Sequence, residues 1–131
     1  MEQRNSYQGR PERPWFRLRL VAASGLIREM RVLADTGNPC ALIVSVEAMR
    51  EFKRSDAPDL DTNFGLLEGG WLEIEIPGLR FREHLVGFAS DSVFDACQAS
   101  HPDLTGLAGL PLLRRFEYGG DAESFWIRGN G

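Results

Sequence analysis

The chain has 131 residues, enough for one domain to bury a core without disulfides or a metal. Its 43% hydrophobic and 26% charged residues place it among globular chains rather than disordered ones. The net charge of −4 arises from acids and bases interleaved along the sequence, which leaves no basic field for phosphates, so nucleic acid is not an expected partner.

Met1 to Arg13 is polar, contains Pro11 and shows no periodicity, and it reads as a flexible N-terminal arm ahead of one domain over residues 14–131. It carries no apolar leader core, and no run in the chain approaches the ~20 apolar residues a membrane span needs. A cytoplasmic protein with no membrane contact is therefore expected. The two cysteines, Cys40 and Cys97, could form one disulfide, but their spacing suggests neither a secreted scaffold nor a zinc site, and both read as reduced and structural.

Trp15 to Val21 alternates apolar and charged residues, with Phe16, Leu18 and Leu20 on one face, as a half-buried strand does. Ala23-Ser24-Gly25 supplies a turn, and Leu26 to Ala34 returns as a second strand with Met30, Val32 and Ala34 toward the core. That strand runs into Asp35-Thr36-Gly37. Ala41 to Val44 is a short apolar run suited to burial on both faces. Ser45 can cap a short helix in which Val46, Met49 and Phe52 recur every three residues.

Ser55 to Asp61 is polar, contains Pro58 and reads as a loop. Thr62 to Gly70 mixes three glycines with Phe64, Leu66 and Leu67, and no Lys-Ser/Thr follows to make a phosphate loop. Trp71 to Ile76 and Leu79 to Arg82 alternate around Pro77-Gly78 as a hairpin. The phase slips near Glu83, which predicts a bulge or a strand buried on both faces up to Phe88. Asp91 or Ser92 is expected to cap a helix through Val93, Phe94, Ala96 and Cys97, ending before Pro102. His84 and His101 have no clustered carboxylate or thiol partner in the sequence, so no metal is expected. Leu107-Ala108-Gly109 reads as a buried strand in which Gly109 permits close backbone approach. Pro111 then suits the first turn of a helix with Leu112, Leu113 and Phe116 facing in. Ser124 to Arg128 is a last strand, able to pair within the domain or across a dimer.

Two of these segments together carry a resemblance. Val32-Leu33-Ala34-Asp35-Thr36-Gly37, followed some seventy residues later by Leu107-Ala108-Gly109 and the helix-like Leu110 to Phe116, resembles the single-domain, retropepsin-like aspartic proteases. The similarity spans residues 15–128, with these two motifs as its specific part. It implies a mainly β fold, the closed β-barrel of one acid-protease half, with two or three short helices and a flap hairpin over the cleft. It further implies Asp35 as the catalytic acid, with Thr36 and Gly37 supporting its turn. Phe64, Gly65, Leu66 and Leu67 would be the flap residues facing substrate. The helix near Val93 is absent from the smallest members and reads as an insertion. Asn38-Pro39 stands where those enzymes usually carry a small Ala or Ser.

Hydrolysis of a peptide bond without a metal, cofactor or covalent nucleophile needs one group to take a proton from water and another to give one. Two carboxylates sharing a proton do both, because like charges ~3 Å apart cannot both ionise. The chain holds a single Asp-Thr-Gly, and Asp103-Leu104-Thr105-Gly106 has one residue too many to be a second copy. The expected arrangement is therefore a homodimer in which two Asp35 side chains meet on a twofold axis and act on a peptide or protein substrate. The alternative is a catalytically inactive dimerisation or peptide-binding module of the same fold. A small β-rich interaction domain, with Asp35-Thr36-Gly37 as a plain turn, is the reading outside that family. Gly87 to Asp91 lacks the second glycine of a nucleophile elbow, and no Ser or Cys triad is supported.

Overall fold

Strand alternation in this sequence closes a sheet on itself. The computed structural model describes residues 1–63 and 65–129. In chain order these form β1 (Glu2–Ser6), β2 (Trp15–Val21), β3 (Ile27–Asp35), β4 (Leu42–Val44), α1 (Val46–Phe52), β5 (Ser55–Thr62) and β6 (Gly65–Ile76). There follow β7 (Phe81–Ala89), α2 (Asp91–Ser100), β8 (Gly106–Gly109), α3 (Leu110–Leu113), β9 (Glu117–Gly120) and β10 (Ser124–Arg128). The fold is mainly β. Among the described residues, no helix is long and apolar enough to cross a membrane.

The sheet order β2-β3-β8-β4-β7-β6 returns to β2 through the pairing of Leu20 with Ile74, giving a closed six-stranded barrel. Strand β6 is long enough to serve two partners along one edge. Its first half pairs with β5 from Gly65 to Trp71 and its second half with β2 from Glu73 to Glu75. The inward residues are those the alternation selects: Phe16, Leu18 and Leu20 meet Val32, Leu72, Ile74 and Ile76, all fully buried. On the other face of β3, β4 and β8, Leu33, Ile43 and Leu107 form a second cluster with Trp15, Cys40 and Leu104. Val93 and Cys97 of α2 pack over it, so these three strands are covered on both sides.

The N-terminal segment departs from the expected flexible arm. Glu2–Ser6 pairs antiparallel with β10, and β10 with β9, in a separate three-stranded sheet within one chain. The segment is polar, so hydrophobic patterning gives no sign of it. Its anchor is Gln3, 4% exposed, whose amide nitrogen donates to the carbonyls of Arg17 and Pro77 at 3.0 Å each. Its amide oxygen accepts from the Arg17 N–H at 2.6 Å, so burial leaves the amide satisfied. Residues 8–13 continue as a strap, with the Pro11 carbonyl 2.9 Å from Nε2 of the buried His101. Strand β10 thus pairs inside the domain.

The polar segment read as a loop, Ser55 to Asp61, is the outer strand of a hairpin with β6. A register shift between Ala57 and Leu60 accommodates Pro58 there. Strand β7 stays in continuous register with β6 from Phe81 to Ala89, so the phase slip is no bulge. Phe88 instead leans on the second cluster, which makes this end of β7 two-sided. Helix α2 is capped by Ser90, whose Oγ accepts from the Val93 N–H at 3.2 Å. Asp91 caps the other helix instead, accepting from the Val46 N–H at 2.9 Å.

On the barrel's outer surface Glu73 lies among three basic side chains, Arg54 at 2.7 Å, Arg82 at 3.1 Å and His84 at 3.3 Å. The hydrogen bond from Arg82, with the fields of Arg82, Arg54 and His84 behind it, holds the Glu73 carboxyl below the usual range.

Candidate functional site

Strand β3 runs parallel to β8 and delivers Asp35 opposite Gly109. At that point the chain turns. The Gly37 N–H donates to Asp35 Oδ1 at 3.0 Å and the Asn38 N–H to the Asp35 carbonyl at 3.1 Å, so the acid accepts a bond from its own turn. Asp35 is half-buried, while Thr36 and Gly37 are exposed beside it. The turn is thereby an outward-facing loop with its acid at the rim.

Asn38 fastens that loop to the barrel. It is 8% exposed, its Oδ1 accepts from the Cys40 N–H at 3.0 Å, and its carbonyl accepts from the Leu110 N–H at 3.1 Å. The Gly109 N–H donates to the Ala41 carbonyl at 3.0 Å. A Cβ on Gly109 would sit 2.5 Å from the Asn38 carbonyl oxygen and closer still to that of Cys40. Glycine at 109 is what lets the turn and β8 lie against each other. Asn38 Nδ2 is buried and has no acceptor among the described residues. A cavity of about 270 Å³ opens beside the turn, lined by Thr36, Asn38, Pro39, Leu110 and Arg114.

The second half of the expected cleft is the β5–β6 hairpin. Gly65 occupies its tip with φ +97, a conformation that favours glycine. Leu66 is 68% exposed, whereas Leu67 is 3% exposed and turned into the protein. Phe64 lies outside the described residues. The structure therefore groups Asp35, Thr36 and Gly37 with Asn38 and Gly109. None of the hairpin's described residues lines the cavity beside the turn.

No protein-family model, characterised protein or solved structure matched the chain.

A further group near the acid escaped the sequence reading. Leu33 shares the parity of Asp35 on β3, and Leu107 that of Gly109 on β8, so both leucines lie on the acid's face of the sheet. Val93, Ala96 and Cys97, at i, i+3 and i+4, present one side of α2 to the same region. With Arg13 they line a cavity of about 280 Å³. Burial pushes the Cys97 thiol up, with Arg13 pulling it down and Asp35 pushing it further up, so the thiol lies within the field of the acid. Cys40 and Cys97 are both free thiols. The signal was available in the parity of Leu33 with Asp35, but only the pairing of β3 with β8 under α2 gives it a meaning.

Proposed function

We propose that this protein is an aspartic endopeptidase of retropepsin-like architecture, in which two copies bring their Asp35 turns together to make one catalytic dyad. The observation that carries this reading is the anchored loop at the end of β3: an outward acid, held by an Asx turn, fixed to a parallel neighbour through a glycine that tolerates no side chain. A single carboxylate can take a proton from water but cannot at the same moment give one to the substrate. Exposure of Thr36 and Gly37 leaves the loop free to meet its own copy across a twofold axis.

In the paired state one Asp35 is ionised and draws a proton from the attacking water. The other is protonated and hydrogen-bonds the carbonyl of the bond to be cut. Their roles follow from proximity, since the second ionisation of the pair is suppressed by the charge of the first. Thr36 and Gly37 act as supports, the first binding main-chain groups of the partner loop and the second leaving room for it. The β5–β6 hairpin serves as the flap, with Leu66 open to substrate. Leu67, being buried, contributes to the hairpin's own packing.

The test is hydrolysis of a mixed peptide library by the wild type and by Asp35→Asn, with sedimentation run on both. The reading expects cleavage that disappears in the variant while the dimer persists. The inactive dimerisation module would show two intact dimers and no cleavage by either. Equal cleavage by both proteins would remove Asp35 from the chemistry.

A further inference from the structure

Strand β3 is paired along only part of one edge. Parallel pairing with β8 covers Val32 to Asp35. Thr105 closes it, donating its N–H to the Arg31 carbonyl at 2.8 Å and accepting from the Arg31 N–H at Oγ1, 3.2 Å away. In an antiparallel pair, alternate residues turn their main-chain groups toward the partner and away from it. Arg31 turns away from β2, so Glu29 and Ile27 do as well, and on that edge their N–H and C=O groups have no partner among the described residues. A cavity of about 420 Å³ runs beside this stretch. Arg28, Glu29 and Met30 all line it, and since successive side chains point to opposite faces, the cavity follows the edge of the strand. From Ile27 to Arg31 the open slot is about 13 Å long, room for about four extended residues.

Helices stand on both faces of the slot. On one, Arg28 lies over the Phe52 ring, and Glu47 and Ala48 of α1 complete the lining. On the other is α2, which packs against Leu33, of Glu29's parity, and presents Phe94 and Asp95. With Glu29 and Asp91, the slot is surrounded by four carboxylates against one guanidinium, that of Arg28. Glu29 and Glu47 have only long contacts to arginines, 3.6 Å to Arg17 and 3.8 Å to Arg28. Asp95 is exposed and has no ion pair among the described residues.

We propose that this slot is a strand-addition site for an extended, basic segment of a partner protein, which continues the line of β8 beside β3. Asp35 lies six residues beyond Glu29 on the same strand, about 20 Å away, so the proposal does not rest on the endopeptidase reading. Main-chain bonds to Ile27 and Glu29 hold an extended chain of any sequence, and the walls select among sequences. An open edge invites other strands unless it is blunted. Pro58 and a register shift blunt β5, whereas the β3 edge carries carboxylates, which repel an acidic strand and attract a basic one. Alternate side chains of the occupant meet Glu47 on one face and Asp95 on the other, while Ala48 and Phe94 cover the apolar stems of Lys or Arg.

The experiment titrates the nitrogen-15-labelled protein with the capped peptide Lys-Val-Lys-Lys-Val-Lys and follows the Ile27 and Glu29 amides by NMR. A peptide with Glu in place of Lys is the charge control. Two further peptides, N-methylated at the odd or at the even amides, test the main-chain bonds, because a strand added along one edge donates from one parity alone. The basic peptide is expected to shift both amides, and only one of the methylated forms should lose binding. Asp95→Lys should weaken affinity about three- to tenfold. Glu29→Pro, which removes a donor from the open edge and leaves the β2 ladder intact, should weaken it about tenfold. Equal binding by the Glu peptide, or by both methylated forms, overturns the proposal, and so do shifts confined to the Asp35 turn. No shift of these amides up to about 1 mM peptide also overturns it, leaving the acids as guards that keep the edge unpaired. Should Glu29→Pro not fold, Asp95→Lys and the methylated peptides decide on the same terms.

Discussion

Gly109→Ala separates a glycine kept for space from one kept for backbone freedom. Gly109 has φ −101 and ψ −178, which alanine adopts readily, so any loss must come from what the new methyl touches. That methyl would lie 2.5 Å from the Asn38 carbonyl oxygen and closer to that of Cys40, both main-chain atoms of the anchored turn. Relief requires β8 and the turn to part, which weakens the Gly109-to-Ala41 and Leu110-to-Asn38 hydrogen bonds. Overpacking costs about 1–3 kcal/mol and each lost bond about 1 kcal/mol, so we expect destabilisation of about 4 kcal/mol. For a domain of this length that lowers the melting temperature by about 15 °C. Calorimetry of the variant beside Gly129→Ala measures it, since a Cβ on Gly129 meets nothing within 4 Å. If Gly109→Ala melts within about 3 °C of the wild type, the close approach that anchors the turn is not what the structure implies.

Two further substitutions probe what the fold rests on. Gln3→Leu removes three hydrogen bonds that tie β1 to Arg17 and Pro77 and strands their main-chain groups. The expected loss is about 2–4 kcal/mol in urea unfolding, with residues 1–13 becoming open to protease, and an unchanged midpoint would mean that β1 is held by β10 alone. Glu73→Gln tests pH dependence. Because the folded Glu73 carboxyl titrates below its unfolded value, its contribution is complete above about pH 4.5 and is lost as pH falls through the folded value. The variant should be less stable by about 1–2 kcal/mol at neutral pH, with the gap narrowing under acid, and a gap that widens on acidification would reverse the sign of the argument.

Much of the barrel was legible because its strands obey simple periodicity. Phe16, Leu18 and Leu20, then Leu72, Ile74 and Ile76, alternate as half-buried strands must, and they meet in the core. Ser45 announced α1, and Pro111 announced α3 with Leu112 and Leu113 inward. Glycine at 109 was readable as a point of close approach. What could not be read is stabilisation by polar or long-range pairing. Glu2–Ser6 contains no apolar residue, and its anchor is one glutamine that meets Arg17 and Pro77 only after the barrel forms. The acidic, proline-containing β5 looks like a loop because an edge strand needs only one neighbour. At the site, Asp35 and its glycine were visible as a motif. Asn38 as the clamp behind the turn, the burial of Leu67 beside the open Leu66, and the face shared by Leu33 and Asp35 required the folded chain.

The central claim is that one Asp35 works only with a second, and mixing subunits measures this directly. Wild-type and Asp35→Asn chains are allowed to exchange in equal amounts, and peptide hydrolysis is compared with that of the wild type at the same total concentration. Random pairing leaves two intact acids in about one quarter of the dimers, so activity should fall to about one quarter. Activity of about one half, in proportion to the wild-type chains present, would mean that each chain carries a complete site and would contradict the shared dyad.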